Sequence, residues 1–429
     1  MRPGLSEVHG DEVGLISILW LAIVVMGSEF AAYGQDWPAF RGGNANGVAE
    51  DSSVPSVWSE SNNIRWKTII HGRGWSSPVV EGNEVWLTTA TEDGLKMYAI
   101  CLDWASGEVI HDKLIFLNDS VQPDYHETNS YASPTPVIEG DRVYVHFGAY
   151  GTACLRRKDC SILWQRRDLP CNHYRGAGSS PIVHEGALIF HMDGFDHQYA
   201  VALNGDTGET VWRTDRKVDY GTDNGDYYKA FCTPLIVTVD GRRQLISPAS
   251  MACLSLDPST GSEIWRVRYD EHSTTARPVF YRNRVFMSTG FSKAKMLCIQ
   301  ADGFGDVTDT HVIWSEHRGI GCKPSPVFVN GHLFVLTDDG ILSRLNPESG
   351  ETEWRTRLGG SFSSSLTATS EHLIALDHDG KGFVFTADEV PQLVSENMLD
   401  AGCNASPAIV GNSLLVRTKS AIYRIQNSE

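Results

Sequence analysis

The stretch Ala202-Leu203-Asn204-Gly205-Asp206-Thr207-Gly208-Glu209-Thr210-Val211-Trp212 decides how this chain folds. An apolar strand runs into Asn204, a tight turn follows, and a second strand ends on Trp212. The same beat returns as SLDPSTGSEIW, ending on Trp265, and as RLNPESGETEW, ending on Trp354. Asp or Asn with Gly supplies the turn and its positive φ. The Trp is a large apolar surface on an outer strand, suited to packing between neighbouring repeats. Trp164 and Trp314 close two irregular copies, and in the first copy, CLDWASGEVIH, His111 stands at the Trp position.

A second beat opens each copy: a small polar residue, Pro, a β-branched run, a Gly turn and another strand. It reads SSPVVEGNEVWLTT from Ser76, SPTPVIEGDRVYVHFG from Ser133 and SSPIVHEGALIFHMDG from Ser179. The prolines are Pro78, Pro136, Pro181, Pro234, Pro278, Pro326 and Pro407, with Leu366 at the place in the seventh copy. Their spacing of about 40 to 58 residues is that of one propeller blade. The last copy runs through Tyr423 to Gln426 and stops without its Trp strand, which is found instead near the other end as NIRWKT, with Trp66. Outer strands at Trp66, His111, Trp164, Trp212, Trp265, Trp314, Trp354 and Val394 make eight. The expected fold is all-β: an eight-bladed β-propeller of four-stranded antiparallel blades, closed by strands from both termini. Such closure hides sheet edges and locks the ring.

Composition agrees with an all-β chain rich in turns. Of 429 residues, 40 are Gly and 18 are Pro, and no long amphipathic helical pattern appears. The net charge of −17 argues against a nucleic-acid partner and against a polybasic membrane surface. Leu15 to Met26 is an apolar run too short for a comfortable span and suited to a signal-peptide core. Ala32 and Gly34 follow it, so residues 1–34 read as a signal peptide cleaved after Gly34, with an uncleaved anchor as the alternative. The acidic Glu7, Asp11 and Glu12 stand where a positive leader is expected. Residues 35–429 read as one propeller domain, exported to the periplasm or beyond and expected to be a monomeric ring. Any membrane contact is expected only through the uncleaved segment.

The recurring ALDxxTGxxxW pattern resembles the pyrroloquinoline-quinone-like (PQQ-like), tryptophan-docking propeller repeat, over nearly all of the chain from Gln35. The opening DWPAFRG, Asp36 to Gly42, looks like the lead-in of exported bacterial members. The resemblance implies two kinds of function. One is a quinoprotein alcohol or sugar dehydrogenase holding PQQ and Ca2+ on the axis. The other is a non-catalytic scaffold such as the outer-membrane-protein assembly lipoprotein. The dehydrogenase pattern fits poorly, because no two cysteines are adjacent and no calcium-loop spacing is present around Asp223, Asn224 and Asp226. The leading expectation is therefore an exported, non-catalytic binding or scaffold module without a cofactor. The PQQ oxidoreductase is the alternative, and a carbohydrate-binding or carbohydrate-processing propeller a third reading.

Chemistry in a propeller concentrates on the loops that join each Trp strand to the next Pro strand. Those loops supply the expected ligand contacts: His71, Arg73, Trp75, His126, His173, Arg175, Tyr228, Arg277 and Lys323. They also carry Asp124, Tyr125, Glu127, Asn129, Tyr131, Tyr174, Asp226, Tyr227, Lys229, His272, His317, Arg318 and Asn404. A protein or polymer partner is expected on this face. Trp66, Trp164, Trp212, Trp265, Trp314 and Trp354 are expected to dock blades. A metal site built on His126 and His173 lacks ligand spacing, so no metal is expected. No nucleophile elbow, P-loop or HExxH motif suggests catalytic residues. Cys101, Cys154 and Cys298 share one buried place in the repeat. Pairing of Cys322 with Cys403, or of Cys160 with Cys171, stays open beside the default of free thiols.

Overall fold

The computed structural model describes residues 36–122 and 125–427. The proposed signal segment and Asp124 lie outside them. Eight sheets are present, each built on four antiparallel strands. Blade 1 takes Val79–Glu81, Glu84–Ala90, Lys96–Asp103 and Val109–Leu117 in order from inside to outside. Blades 2 to 7 begin on Val137–Glu139, Ile182–His184, Leu235–Val239, Val279–Tyr281, Val327–Val329 and Thr367–Thr369. Blade 8 joins the two ends of the described chain. Ala408–Val410, Ser413–Arg417 and Ala421–Gln426 receive Ile64–Ile69 as their outer strand, with Trp66 opposite Arg424.

The core lies between blades. Tyr144 and Cys154 of blade 2 pack with Leu188 and Phe190 of blade 3, and Trp164 closes the seam. The Trp beat is explained by what it meets. The Trp164 indole N–H donates to the Gly205 carbonyl in the turn of the next blade at 2.8 Å. Trp66, Trp212 and Trp314 do the same to Trp104, Pro258 and Pro347 at 2.9 to 3.0 Å. Gly208 holds φ +74 and lies flat against the Trp164 ring, where an added Cβ would come within 2.7 Å. Trp265 differs, donating to Gln244 of its own blade and to the Ala301 carbonyl. On the strand inside four of the Trp residues a small residue is opposite: Cys154 faces Trp164, Ala202 faces Trp212, Ser255 faces Trp265 and Cys298 faces Trp314, whereas Trp66 and Trp354 face Arg424 and Arg344. All nine cysteines are free thiols, so neither Cys322–Cys403 nor Cys160–Cys171 is a disulfide here.

The lead-in DWPAFRG has a structural task that its sequence did not announce. Trp37 bridges Val80 of blade 1, and the Pro38 carbonyl accepts from Ile138 of blade 2. The Phe40 carbonyl then accepts from Arg277 ahead of blade 5. Arg41 donates to the carbonyls of Pro326 and Leu366, ahead of blades 6 and 7, at 2.6 and 2.9 Å. Val48–Ala49 finally pairs in parallel with Ala368–Thr369 of blade 7. A segment that touches blades 1 and 2 and, within four residues, blades 5 to 7 crosses the axis of the ring. Gly47 is needed where this segment turns: at φ +77, a Cβ would sit 2.5 Å from the Arg41 guanidinium.

A second added strand, Gly305–Asp306, pairs in parallel with the outer strand of blade 4 and covers that edge. No helix among the described residues is long and apolar enough to cross a membrane.

Candidate functional site

The small polar residue before each Pro acts at the ring's inner rim. Equivalent positions are Ser77, Thr135, Ser180, Thr233, Arg277, Ser325, Ser365 and Ser406. Six of the eight pass their backbone N–H to the hydroxyl at the same place in the next blade. Ser77 donates to Thr135 at 2.9 Å, Thr135 to Ser180 at 2.9 Å and Ser180 to Thr233 at 3.0 Å. Arg277 donates to Ser325 at 2.9 Å, Ser325 to Ser365 at 3.0 Å and Ser365 to Ser406 at 3.0 Å. The residue that follows, Pro in seven copies, has no N–H to satisfy. The serine-proline repeat is thus a belt that links blade to blade around the axis.

Above this belt opens a cavity of about 710 Å³, within the range of small-molecule sites. Every blade contributes to its wall, and Phe40 of the crossing segment is the lead-in residue that reaches it. The mouth is lopsided. The loops 118–136, 167–181 and 216–234, which lead into blades 2, 3 and 4, are long. Those at 70–78, 269–278, 317–326, 358–366 and 399–407 are short. The long loops, with the adjoining loop 70–78, carry a set of stacked rings and cations. Tyr125 stacks on Tyr131 at 4.5 Å and Tyr220 on Tyr228 at 4.4 Å. Arg73 lies over both Trp75 and Tyr125, at 5.2 and 5.5 Å, and Arg175 over Tyr174 at 4.4 Å.

Of the nine expected ligand contacts, Trp75, His126, Arg175 and Lys323 line the cavity. Lys323 pairs with Asp338 at 3.3 Å, and His126 bonds Thr128 at 2.8 Å. The other five lie elsewhere. His71 bonds Asp112 at 3.1 Å, Arg73 donates to the Glu127 carbonyl, and Tyr228 donates to the Thr222 carbonyl at 2.6 Å. His173 is buried against Cys171, with Nδ1 3.6 Å from its Sγ. Burial pushes the His173 ring down to about 4, so it is neutral at pH 7. Arg277 is 2% exposed and spends its guanidinium on the Pro234 carbonyl, at 2.7 and 3.1 Å, and on Phe40. The sequence places both among the ligand contacts at the channel mouth. Both are buried away from the mouth: Arg277 is spent on backbone carbonyls, and His173 Nδ1 faces the Cys171 thiol. Phe40 and the hydroxyl belt were missed as site residues. The small polar residue before each Pro was the available signal for the belt.

A buried Ser–His contact needs separate treatment. Ser247 lies 2.8 Å from His191 Nε2, and Arg216 holds Asp193 through two bonds of 2.7 and 2.8 Å. Ser247 is 0% exposed and His191 Nδ1 faces the Cys232 carbonyl, not a carboxylate. The cluster joins blades 3 and 4 and offers no substrate a path.

Calcium beside a quinone requires several oxygen ligands converging on one point. No three His, Cys, Asp or Glu side chains converge in this way among the described residues. The carboxylates of the cavity, Asp226 and Asp338, are each paired with a lysine, Lys229 and Lys323. The Asp223–Asp226 stretch is an ordinary turn, with Asn224 capping the Asp226 N–H at 3.1 Å. These residues do not fit a calcium-bound quinone.

A closed ring of eight such blades, four of them pinned by a Trp indole to a carbonyl in the neighbour's turn, defines a propeller of the PQQ-like repeat class. The chain belongs to the family described as outer membrane protein assembly factor BamB, whose sequence model matches residues 196–318 and 305–427. The structure of BamB from Moraxella catarrhalis superposes with a TM-score of 0.59 at 11% identity, over 84% of this chain and 99% of that one. Quinohemoprotein alcohol dehydrogenase from Comamonas testosteroni gives 0.67 at 11% identity, over 92% and 81%. A europium-containing methanol dehydrogenase gives 0.68 at 9% identity, over 90% of each. Identities this low establish the shared fold alone. No curated protein matches this chain in sequence.

Proposed function

We propose that this chain is an exported, non-catalytic propeller that binds a protein or polymer partner through the loop face around its channel. The observation that carries the reading is the one-sided crown: three long loops, rich in Tyr and Arg, stand over blades 2 to 4 while the rest of the mouth is low. Aromatic side chains and Arg are the residue types that anchor interfaces. Tyr227 and Phe291, 40% and 60% exposed, present apolar surface on the same face. Membership of a family named for outer-membrane protein assembly supports a scaffold role and an exported location. Export itself rests on the Leu15–Met26 run, outside the described residues.

The dehydrogenase alternative is separated by reconstitution. Purified full chain is incubated with PQQ and calcium, then tested for a quinone absorption band and for dye-linked alcohol oxidation. The proposal expects neither signal. A stoichiometric band with turnover would return the chain to the dehydrogenase branch.

A further inference from the structure

The belt hydroxyls have a property beyond joining blades. Thr135, Ser180, Thr233, Ser325, Ser365 and Ser406 each accept a backbone N–H. None of their own O–H groups has a protein acceptor among the described residues. All six are buried, and all six line the axial cavity. A hydroxyl that faces a cavity and has no protein acceptor is free to donate its hydrogen to whatever fills that cavity. Accepting an N–H polarises each oxygen and strengthens the donor it presents. The base of the cavity is therefore a ring of donors converging from blades 2, 3, 4, 6, 7 and 8.

The charge under and around this ring has the same sense. At the fifth blade's place in the belt stands Arg277 instead of a hydroxyl. Its guanidinium lies behind Phe40 and bonds only carbonyls, at Pro234 and Phe40. Arg41, one residue along the crossing segment, also bonds only carbonyls, those of Asn46, Pro326 and Leu366. The two charges are close enough to repel, and burial with that repulsion pulls Arg41 down to about 9. Both stay charged at pH 7. Arg175, on the cavity wall, is bonded to the Tyr174 hydroxyl at 2.9 Å and to no carboxylate. Buried positive charge without a counter-ion is costly. It stands on the axis of a protein whose net charge is −17.

The two carboxylates in the same place are already engaged. Asp226 is tied to Lys229, and Asp338 to Lys323 and to the Cys322 N–H at 2.6 Å. A neutral sugar offers hydroxyls that need acceptors as well as donors. An anion needs donors and positive potential, which is what the cavity holds. We propose that the axial cavity is a binding site for a small organic anion, a carboxylate or a phosphate ester, seated oxygen-first on the hydroxyl ring with Arg175 at its side. This site lies below the crown that meets a macromolecular partner and shares Arg175 with it.

Titration calorimetry on the full chain tests it with citrate, glucose 6-phosphate and glucose. At about 1 mM ligand, where even a weak site begins to fill, citrate or glucose 6-phosphate binds one to one, and glucose gives no heat. Which of the two anions binds separates carboxylate from phosphate. Arg175→Gln, a change on the cavity wall, weakens the anion about tenfold or more, the loss expected for one charged hydrogen bond. Ser406→Ala weakens it as well, with a thermal melt confirming that the ring is intact. Silence from both anions overturns the proposal, as does glucose binding as tightly as glucose 6-phosphate, or full anion affinity in Arg175→Gln. Partner binding at the crown is read separately, by cross-linking from Tyr227, which does not line the cavity.

Discussion

Arg277 donates through Nη1 to the Phe40 carbonyl at 2.6 Å and so ties the fifth blade to the segment that crosses the axis. Its other two bonds go to the Pro234 carbonyl of the preceding blade. One side chain therefore holds three separate parts of the ring together. Replacing it by Met removes all three bonds and leaves two buried carbonyls short of donors. Arg277→Met is expected to lower unfolding stability by about 3 kcal/mol. Arg277→Lys recovers only part of that loss, since an ammonium cannot copy the planar fork. Denaturant midpoints for the three proteins check both statements.

Gly208→Ala and Gly186→Ala separate two costs of glycine replacement. Both residues have φ near +75, at +74 and +75. At Gly208 a Cβ strikes the Trp164 ring at 2.7 Å, whereas at Gly186 nothing lies within 4 Å. Gly186→Ala pays only the backbone penalty, about 1 kcal/mol. Gly208→Ala adds the displaced Trp and is expected to reach about 3 kcal/mol. Equal shifts in thermal midpoint would contradict the docking geometry.

The hydroxyl belt makes Ser365 sensitive to chemistry and tolerant of size. Ser365→Ala strands the Ser325 N–H, a buried donor bonded at 3.0 Å, and is expected to cost about 1–3 kcal/mol. Ser365→Thr keeps the oxygen, as Thr135 and Thr233 do at equivalent places, and is expected to lose less than half of that. Thermal melts of the two variants decide it.

Stability is expected to fall as the medium is acidified below pH 6.5. Burial pushes His146 down to about 3 and His173 down to about 4, from an ordinary value near 6.5. Both are depressed in the folded chain, so below pH 6.5 the unfolded chain takes up protons that the folded chain refuses. Their contribution is whole above pH 6.5. It declines as pH falls through the window down to about 4 for His173 and about 3 for His146. For His173 the linkage amounts to about 3 kcal/mol at the bottom of its window. His173→Gln is expected to flatten the slope of stability between pH 6.5 and 4.5. Urea melts at several pH values measure it, and parallel slopes for the two proteins would contradict it.

The fold was legible because the turn and the Trp recur as local chemistry. Asn204, Gly208 and Trp212 act within one hairpin and its neighbour, so a single stretch of chain reports them. The closing blade was legible too, because a missing Trp strand at one end matched a spare one at the other. The crossing segment was not. Its residues meet Val80, Pro326 and Ala368, far apart in the chain, and nothing in DWPAFRG repeats. Loop residues could be assigned to a face but not to a neighbour. Lys323 and Arg277 both look like exposed cations in sequence. One reaches the cavity and the other is locked beneath it, a difference set by where the Phe40 carbonyl happens to pass.

The most direct measurement is a photo-cross-linking comparison of the two faces. A photoreactive residue is placed at His126 or Tyr227 on the crown, and at Lys158 on the turns of the opposite face, in cells making the full chain. The proposed binding role predicts a discrete higher-mass adduct from the His126 and Tyr227 positions and none from Lys158. An adduct from Lys158 alone, or no adduct from either crown position, would contradict it.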